Sequence, residues 1–218
     1  MDHLERILSD GLDAMNIAYS AKQLTRLLDF LGLLQKWNRV YNLTSIDSPV
    51  ERVRLHLLDS LAVLPYLQGI SVLDVGTGAG LPGLPLALFS PDREFTLLDS
   101  NAKKTRFVRQ ATIELGLANV NVVHERIESF RTSNGFDSIL ARAFANLPEL
   151  TGQSFRLLNP GGVILAQKGK LPQEELKLLE NAVVEVFSLD IPGIDAERHL
   201  IAIKVRTCLL YTSPSPRD

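Results

Sequence analysis

Residues 72–89 read VLDVGTGAGLPGLPLALF, an apolar run, four glycines at Gly76, Gly78, Gly80 and Gly83, and a second apolar run. Glycine tolerates backbone angles that other residues avoid and leaves the main chain bare, so a ligand can approach its N–H groups closely. A tight turn from a strand into a helix would need one or two glycines; four point to a binding loop. The loop decides the fold, because strand, glycine turn and helix make the opening unit of a parallel α/β sheet.

Outward from this loop the same grammar repeats. Short apolar runs occur at ISVLDV (70–75), FTLLD (95–99), VNVVHE (120–125), DSILAR (137–142), GVILAQ (162–167), VVEVFSL (183–189) and LIAIKV (200–205). Helix-period stretches at 81–89, 101–116 and about 146–158 separate the earlier runs. Continuous apolar strands alternating with helices predict a mostly parallel sheet covered on both faces. Only DIPGIDAERH (190–199) joins the last two runs, too short for a helical crossover, so they are expected to pair antiparallel at one edge.

Before residue 70 the period is helical. Leu4, Ile7, Leu8, Leu12 and Met15 form one stripe, and Leu24, Leu27, Leu28, Leu31 and Leu34 a second with Ser20 as its N-cap. Ser48-Pro49 opens a third helix through Val50, Val53, Leu57, Leu61 and Leu64. The expected organisation is a helical N-terminal unit (1–66), an α/β domain (67–206), and a tail (207–218) rich in Ser and Pro, read as disordered or non-native.

The 218 residues are 45% hydrophobic and 22% charged with a net charge of −2, the balance of a globular protein rather than a basic coat. No run approaches a membrane span, and the charged N-terminus is unlike a signal peptide. The single Cys208 excludes a disulfide framework and a cysteine zinc site, and the four histidines have no metal-ligand spacing. A cytoplasmic setting, no metal and no membrane partner are therefore expected, with a monomer as the default.

The glycine spacing fits two cofactors. Gly78, Gly80 and Gly83 satisfy the dinucleotide fingerprint, and Asp99 stands about twenty residues on, where an acid would accept from ribose hydroxyls. An NAD-dependent oxidoreductase and a methyltransferase using S-adenosyl-L-methionine (SAM) both follow. Two features favour SAM. Asp74 precedes the first glycine, as in the first motif of class I methyltransferases, and Pro82 and Pro85 remove N–H donors that a pyrophosphate would want. The antiparallel edge pair also suits the methyltransferase sheet better.

Further along, Ile127 is placed to flank an adenine and Glu128 to accept from its amine, although a solvated acid at a helix start is an equal reading of Glu128. Arg142 closes an apolar strand at the carboxyl edge, where ligands bind in open sheets. Lys103, Lys104, Arg106 and Arg109 fall on the helix after Asp99, and Lys168 and Arg198 extend the same side. These six read either as solvated charge or as phosphate contacts to RNA. His199 is as well explained as a structural histidine. Asn38, Tyr41, Asn42 and Thr44 are candidates to close over the pocket, and His56 and Asp59 to pin the helical unit to the sheet.

The segments WNRVYNLTSI, HLLDSL, DVGTGAGLPGLPLA, FTLLDS, RFVRQ, FDSILARAFA, QKG and ERHLIAIK, spread over residues 24–206, resemble the bacterial glucose-inhibited division protein B family. That resemblance implies a class I SAM-dependent (Rossmann-like) methyltransferase with a seven-stranded mostly parallel sheet and a helical N-terminal extension. It implies methyl transfer to guanine N7 in small-subunit ribosomal RNA. The family's SAM contacts would fall on Gly76, Leu81, Ile127, Glu128 and Arg142, beside Asp99 and the loop glycines Gly78 and Gly80. Arg142 would position cofactor, guanine or both. Guanine N7 already carries a lone pair, so no general base is expected and alignment should dominate. A SAM-binding ribosome-associated module without turnover is the remaining alternative.

Overall fold

A computed structural model describes residues 2–144, 146–179 and 182–206; the tail expectation for 207–218 lies outside these. Two helices open the chain, α1 (Asp2–Ala14) and α2 (Ala21–Tyr41). Ser20 caps α2 in a capping box, its side chain accepting from the Gln23 N–H while the Gln23 side chain accepts from the Ser20 N–H. The third predicted helix is a composite. It starts at α3 (Pro49–Arg52) with Ser48 as cap, widens into a π-helical stretch (Val53–Leu58), and returns to α geometry in α4 (Asp59–Leu61). An apolar spacing of three to four cannot reveal such a widening, because one extra residue in a turn barely disturbs the stripe.

Among the described residues the sheet has seven strands in the order β3-β2-β1-β4-β5-β7-β6. They are β1 (Ser71–Val75), β2 (Glu94–Asp99), β3 (Val120–His124), β4 (Phe136–Arg142), β5 (Leu158–Lys168), β6 (Ala182–Ser188) and β7 (His199–Val205). The first five are mutually parallel, β7 runs antiparallel to β5, and β6 antiparallel to β7, as the short connection requires. Crossovers contain α5 (Gly83–Phe89), α6 (Ala102–Glu114) and α7 (Leu147–Ser154); a short α8 (Gln173–Lys177), which the sequence pattern did not single out, precedes β6.

Alternation along each strand splits the core in two. Val72, Leu140, Val163, Leu165 and Leu200 face α5, α6 and the N-terminal helices, while Leu73, Val75, Ile139, Ala141, Ile164 and Ile201 face α7. Burial on both faces is why the central strands read as unbroken apolar runs, whereas the edge strands β3 and β6 are mostly half-buried or exposed. The N-terminal unit sits on the first face through α2, whose Phe30 and Trp37 rings lie 6.3 and 5.7 Å from Phe107 of α6. The strand order, not the strand direction, reverses between β1 and β4, and the strand registers bring Val75, Asp99, Arg142 and Gln167 to one carboxyl edge. No helix is long and apolar enough to cross a membrane among the described residues.

Phe107 is fully buried between α2 and the sheet, whereas Ile113 on the same helix is 73% exposed. Phe107→Ala is expected to destabilise the protein by about 3–5 kcal/mol in urea melts, and Ile113→Ala by about 0.5 kcal/mol or less.

Candidate functional site

The loop after β1 turns through three left-handed residues, Gly76 (φ +67°), Gly78 (φ +60°) and Gly80 (φ +81°). A Cβ on Gly76 would also lie 3.1 Å from the Phe144 ring, so this position is bare for space as well as for φ. Two carboxylates pin the loop from either side. Asp74, fully buried, accepts from Thr77 Oγ1 (2.6 Å) and the Gly83 N–H (3.0 Å), closing the turn on itself. Asp99 accepts from the Gly78 N–H (2.9 Å) through one oxygen and the Asn101 N–H (2.8 Å) through the other, tying the loop to the end of β2. The Gly76 and Thr77 N–H groups both donate to the Leu98 carbonyl (2.8 and 3.0 Å). Asp74 therefore works from inside the turn, and burial pushes its carboxyl up to about 6.

Beside the loop lies a cleft of about 330 Å³ whose wall includes Gly76, Asp99, Lys104, Ile127, Glu128 and Phe144. Each Asp99 oxygen retains a lone pair beyond its backbone bond, so ribose hydroxyls can still donate to it. Buried Ile127 offers an apolar surface, and the Glu128 carboxylate stands exposed with Gln153 Nε2 at 3.5 Å. An apolar wall between acids, with a bare glycine beneath, suits a cationic nucleoside such as SAM. Gly80 and Leu81 face inward instead: a Cβ on Gly80 would run into Leu84, and Leu81 is 4% exposed within the core. Lys104, grouped by sequence with the RNA-facing cations, lines this cleft, while Lys103, Arg106 and Arg109 are exposed outside it. Glu149 and Gln153 of α7 also reach the wall, which no sequence motif signalled.

A second cleft of about 430 Å³ adjoins the first and includes Arg142, Arg198, His56, Gln167 and Lys168. At its base, Asp59 is 5% exposed and grips two arginines from distant parts of the chain. Arg142 Nη1 donates to Asp59 Oδ2 (3.2 Å) and to the Leu55 carbonyl (3.2 Å), and Arg198 Nε donates to Asp59 Oδ1 (3.1 Å). Gln167 Nε2 donates to the Asp59 carbonyl (2.9 Å). Arg142 thus lines the second cleft, in the company of Arg198 and Lys168, and the pin expected of Asp59 has these partners. Lys168 donates to Glu175 (3.1 Å), and His199 Nδ1 lies 2.7 Å from the Gly169 carbonyl.

The segment after α2 folds over His56. Asn38 pairs with the Thr44 backbone through both amide atoms (2.9 and 2.8 Å), and Thr44 Oγ1 lies 2.9 Å from His56 Nε2. Tyr41 stacks on Trp37 at 5.4 Å, and Asn42 ends α2 in the left-handed region (φ +50°). Burial, reinforced by the Arg142 charge, lowers His56 to about 4, so its imidazole is neutral near pH 7.

The chain resembles known proteins along nearly its whole length. The family model described as rRNA small subunit methyltransferase G matches residues 23–201. The ribosomal RNA small subunit methyltransferase G of Methylococcus capsulatus is 55% identical over 91% of this chain and 97% of its own. That of Nitrosococcus oceani is 50% identical over 93% and 95%. Among solved structures, a putative O-methyltransferase from Klebsiella pneumoniae is similar with a TM-score of 0.61 at 14% identity, covering 90% of this chain and 94% of that one. A SAM-dependent methyltransferase from Thiobacillus denitrificans in complex with S-adenosyl-L-homocysteine has a TM-score of 0.53 at 16% identity, over 81% and 98%. The fold is that of the class I SAM-dependent methyltransferases.

Asp74 and His56 act oppositely on stability. Asp74, raised from 3.8 to about 6, holds its proton in the folded chain when the unfolded chain has lost it, so stability falls as pH rises through that window. His56, lowered from 6.5 to about 4, is charged first in the unfolded chain, so stability falls as pH drops through its window. Asp74→Asn keeps an acceptor for Thr77 and Gly83 and removes the first effect. Urea melts from pH 7 to 4.5 should then show a steeper loss of stability than in the wild type, by about 1–3 kcal/mol across the range.

Proposed function

Since this chain belongs to the family of rRNA small subunit methyltransferase G, we propose that it methylates N7 of a guanine in small-subunit (16S) ribosomal RNA, using SAM. The observation that carries the reading is the pairing of two adjoining clefts at the carboxyl edge, one walled by acids and apolar groups, the other by arginines. The nicotinamide reading of the glycine fingerprint falls away with the family. SAM, when bound, supplies an electrophilic methyl group. Gly76, Asp99, Ile127 and Glu128 are the residues we assign to holding it, with Gly78, Gly80 and Leu81 shaping the loop beneath.

The protein's part in the reaction is geometric and electrostatic. Guanine N7 needs no deprotonation before it attacks, so no residue has to act as a general base, and the neutral His56 is not required as one. Two guanidiniums fixed by one carboxylate present their remaining N–H donors to the substrate cleft, which suits phosphate or the purine O6. We assign Arg142 and Arg198 to positioning the target nucleotide, with Lys168 beside them. Lys103, Arg106 and Arg109 give a basic approach for flanking RNA, whereas Lys104 belongs to the cofactor side. A guanine within folded RNA must be exposed before transfer, at a cost of a few kcal/mol. We assign the helical unit (1–66) to holding it against the methyltransferase domain (67–206). The partner is small-subunit RNA or its assembling particle, met by a monomer in the cytoplasm.

Radiolabelled SAM and small-subunit particles lacking the modification test this. The wild type should yield labelled 7-methylguanosine. Gly76→Asp should abolish SAM binding in calorimetry, since a side chain there meets Phe144. Arg142→Ala should keep SAM affinity within about threefold while transfer falls roughly 100-fold, the loss typical of a misplaced reactant. Label on another base, or none with SAM bound, would refute the proposal.

A further inference from the structure

Ala143 and Phe144 line both clefts, and of the two Phe144 carries the large side chain. It gets there by a bend: Ala143, directly after Arg142 at the end of β4, is left-handed (φ +51°), a region that a non-glycine residue enters at a cost. The bend turns the chain so that the Phe144 ring comes over Gly76, its Cδ2 within 3.1 Å of where a Cβ would be. The ring is half-buried and, among the described residues, pairs with no other aromatic ring.

We propose that Phe144 is the stacking wall for the target guanine and that its ring face holds the base more tightly as positive charge arrives on it. This rests on the N7 reading above. In transfer, the N7 lone pair forms the new C–N bond as the C–S bond breaks, sulfur keeps that electron pair, no proton moves, and one positive charge ends on the purine. The cleft is poorly made for that charge otherwise. Arg142, Arg198 and Lys168 are cationic, His56 is neutral, and Asp59 is already shared between two arginines. An aromatic face attracts a cation without carrying a charge, and the attraction is greater for the methylated purine than for the neutral one, so it grows along the reaction.

The test compares Phe144→Leu, which keeps an apolar wall, with Phe144→Tyr, which keeps the ring. Leu should lower kcat on undermethylated particles by roughly fivefold to thirtyfold, the range of a desolvated cation–π contact, while Tyr stays within about threefold of wild type. SAM affinity should stay within about threefold in both, confirming a folded cofactor cleft. A binding measurement independent of turnover uses two short single-stranded RNAs differing only in guanine or 7-methylguanine. The wild type should prefer the methylated oligomer by several-fold, and Leu should bind the two equally. A Leu variant with wild-type kcat and preference, equal wild-type affinities, equal losses in Leu and Tyr, or SAM binding lost with Leu would each overturn the inference. If the wild type labels an atom other than guanine N7, the reading beneath it fails instead.

Discussion

Asp59 is the constraint on which the arginine-lined cleft depends. A carboxylate 5% exposed is costly unless it is paired, and here one guanidinium takes each oxygen. The arginines come from the end of β4 and from the segment before β7, while Asp59 sits where the π-helical stretch returns to α geometry. One charge thus joins the N-terminal helices to two separate parts of the sheet. The π-helical stretch shifts the helix register there, placing the Leu55 carbonyl and Asp59 together on Arg142. Two arginines on one aspartate leave the cluster with a net positive charge.

Around the glycine loop two acids divide the labour by burial. Asp74 lies inside the turn and spends its hydrogen bonds on the loop itself; Asp99 lies at the rim, 7% exposed, and grips the loop while facing the cleft. Their strands are adjacent in the sheet, so the loop between them is held at both ends without a side chain from the loop entering the ligand space. Phe144, reached by a bend in the neighbouring strand, supplies the third wall. The cleft is built from main-chain geometry first and side chains second.

Much of this was legible. Unbroken apolar runs predicted the central strands, which are buried on two faces, the short link predicted the antiparallel edge, and the glycine loop and Asp99 meet beside one cleft. What was not legible is what depends on tertiary contact. The Arg142–Asp59 and Arg198–Asp59 bonds span 83 and 139 residues, and no local spacing encodes such a meeting. Leu81 looks like any other loop residue until the core claims it. Lys104 and Arg106 belong to one charge run, yet the helical turn sends one into the cleft and the other to solvent. The π-helical stretch keeps its apolar stripe and so leaves no trace in the periodicity.

The strand order has a consequence for how the protein comes into being. β7, the latest in sequence among the described strands, lies between β5 and β6. As the chain leaves the ribosome, β6 emerges before the strand it pairs with, and the outer edge of β5 stays open until residues 199–205 arrive. Arg198 arrives with them. A nascent chain therefore makes its glycine loop and both loop carboxylates early, but has half of the Asp59 grip until residue 198 has been made. The Asp59 cluster is thus completed after the glycine loop, when Arg198 is added. A chain interrupted before residue 198 would keep the cleft beside the glycine loop but lack one of the two arginines that pair with Asp59.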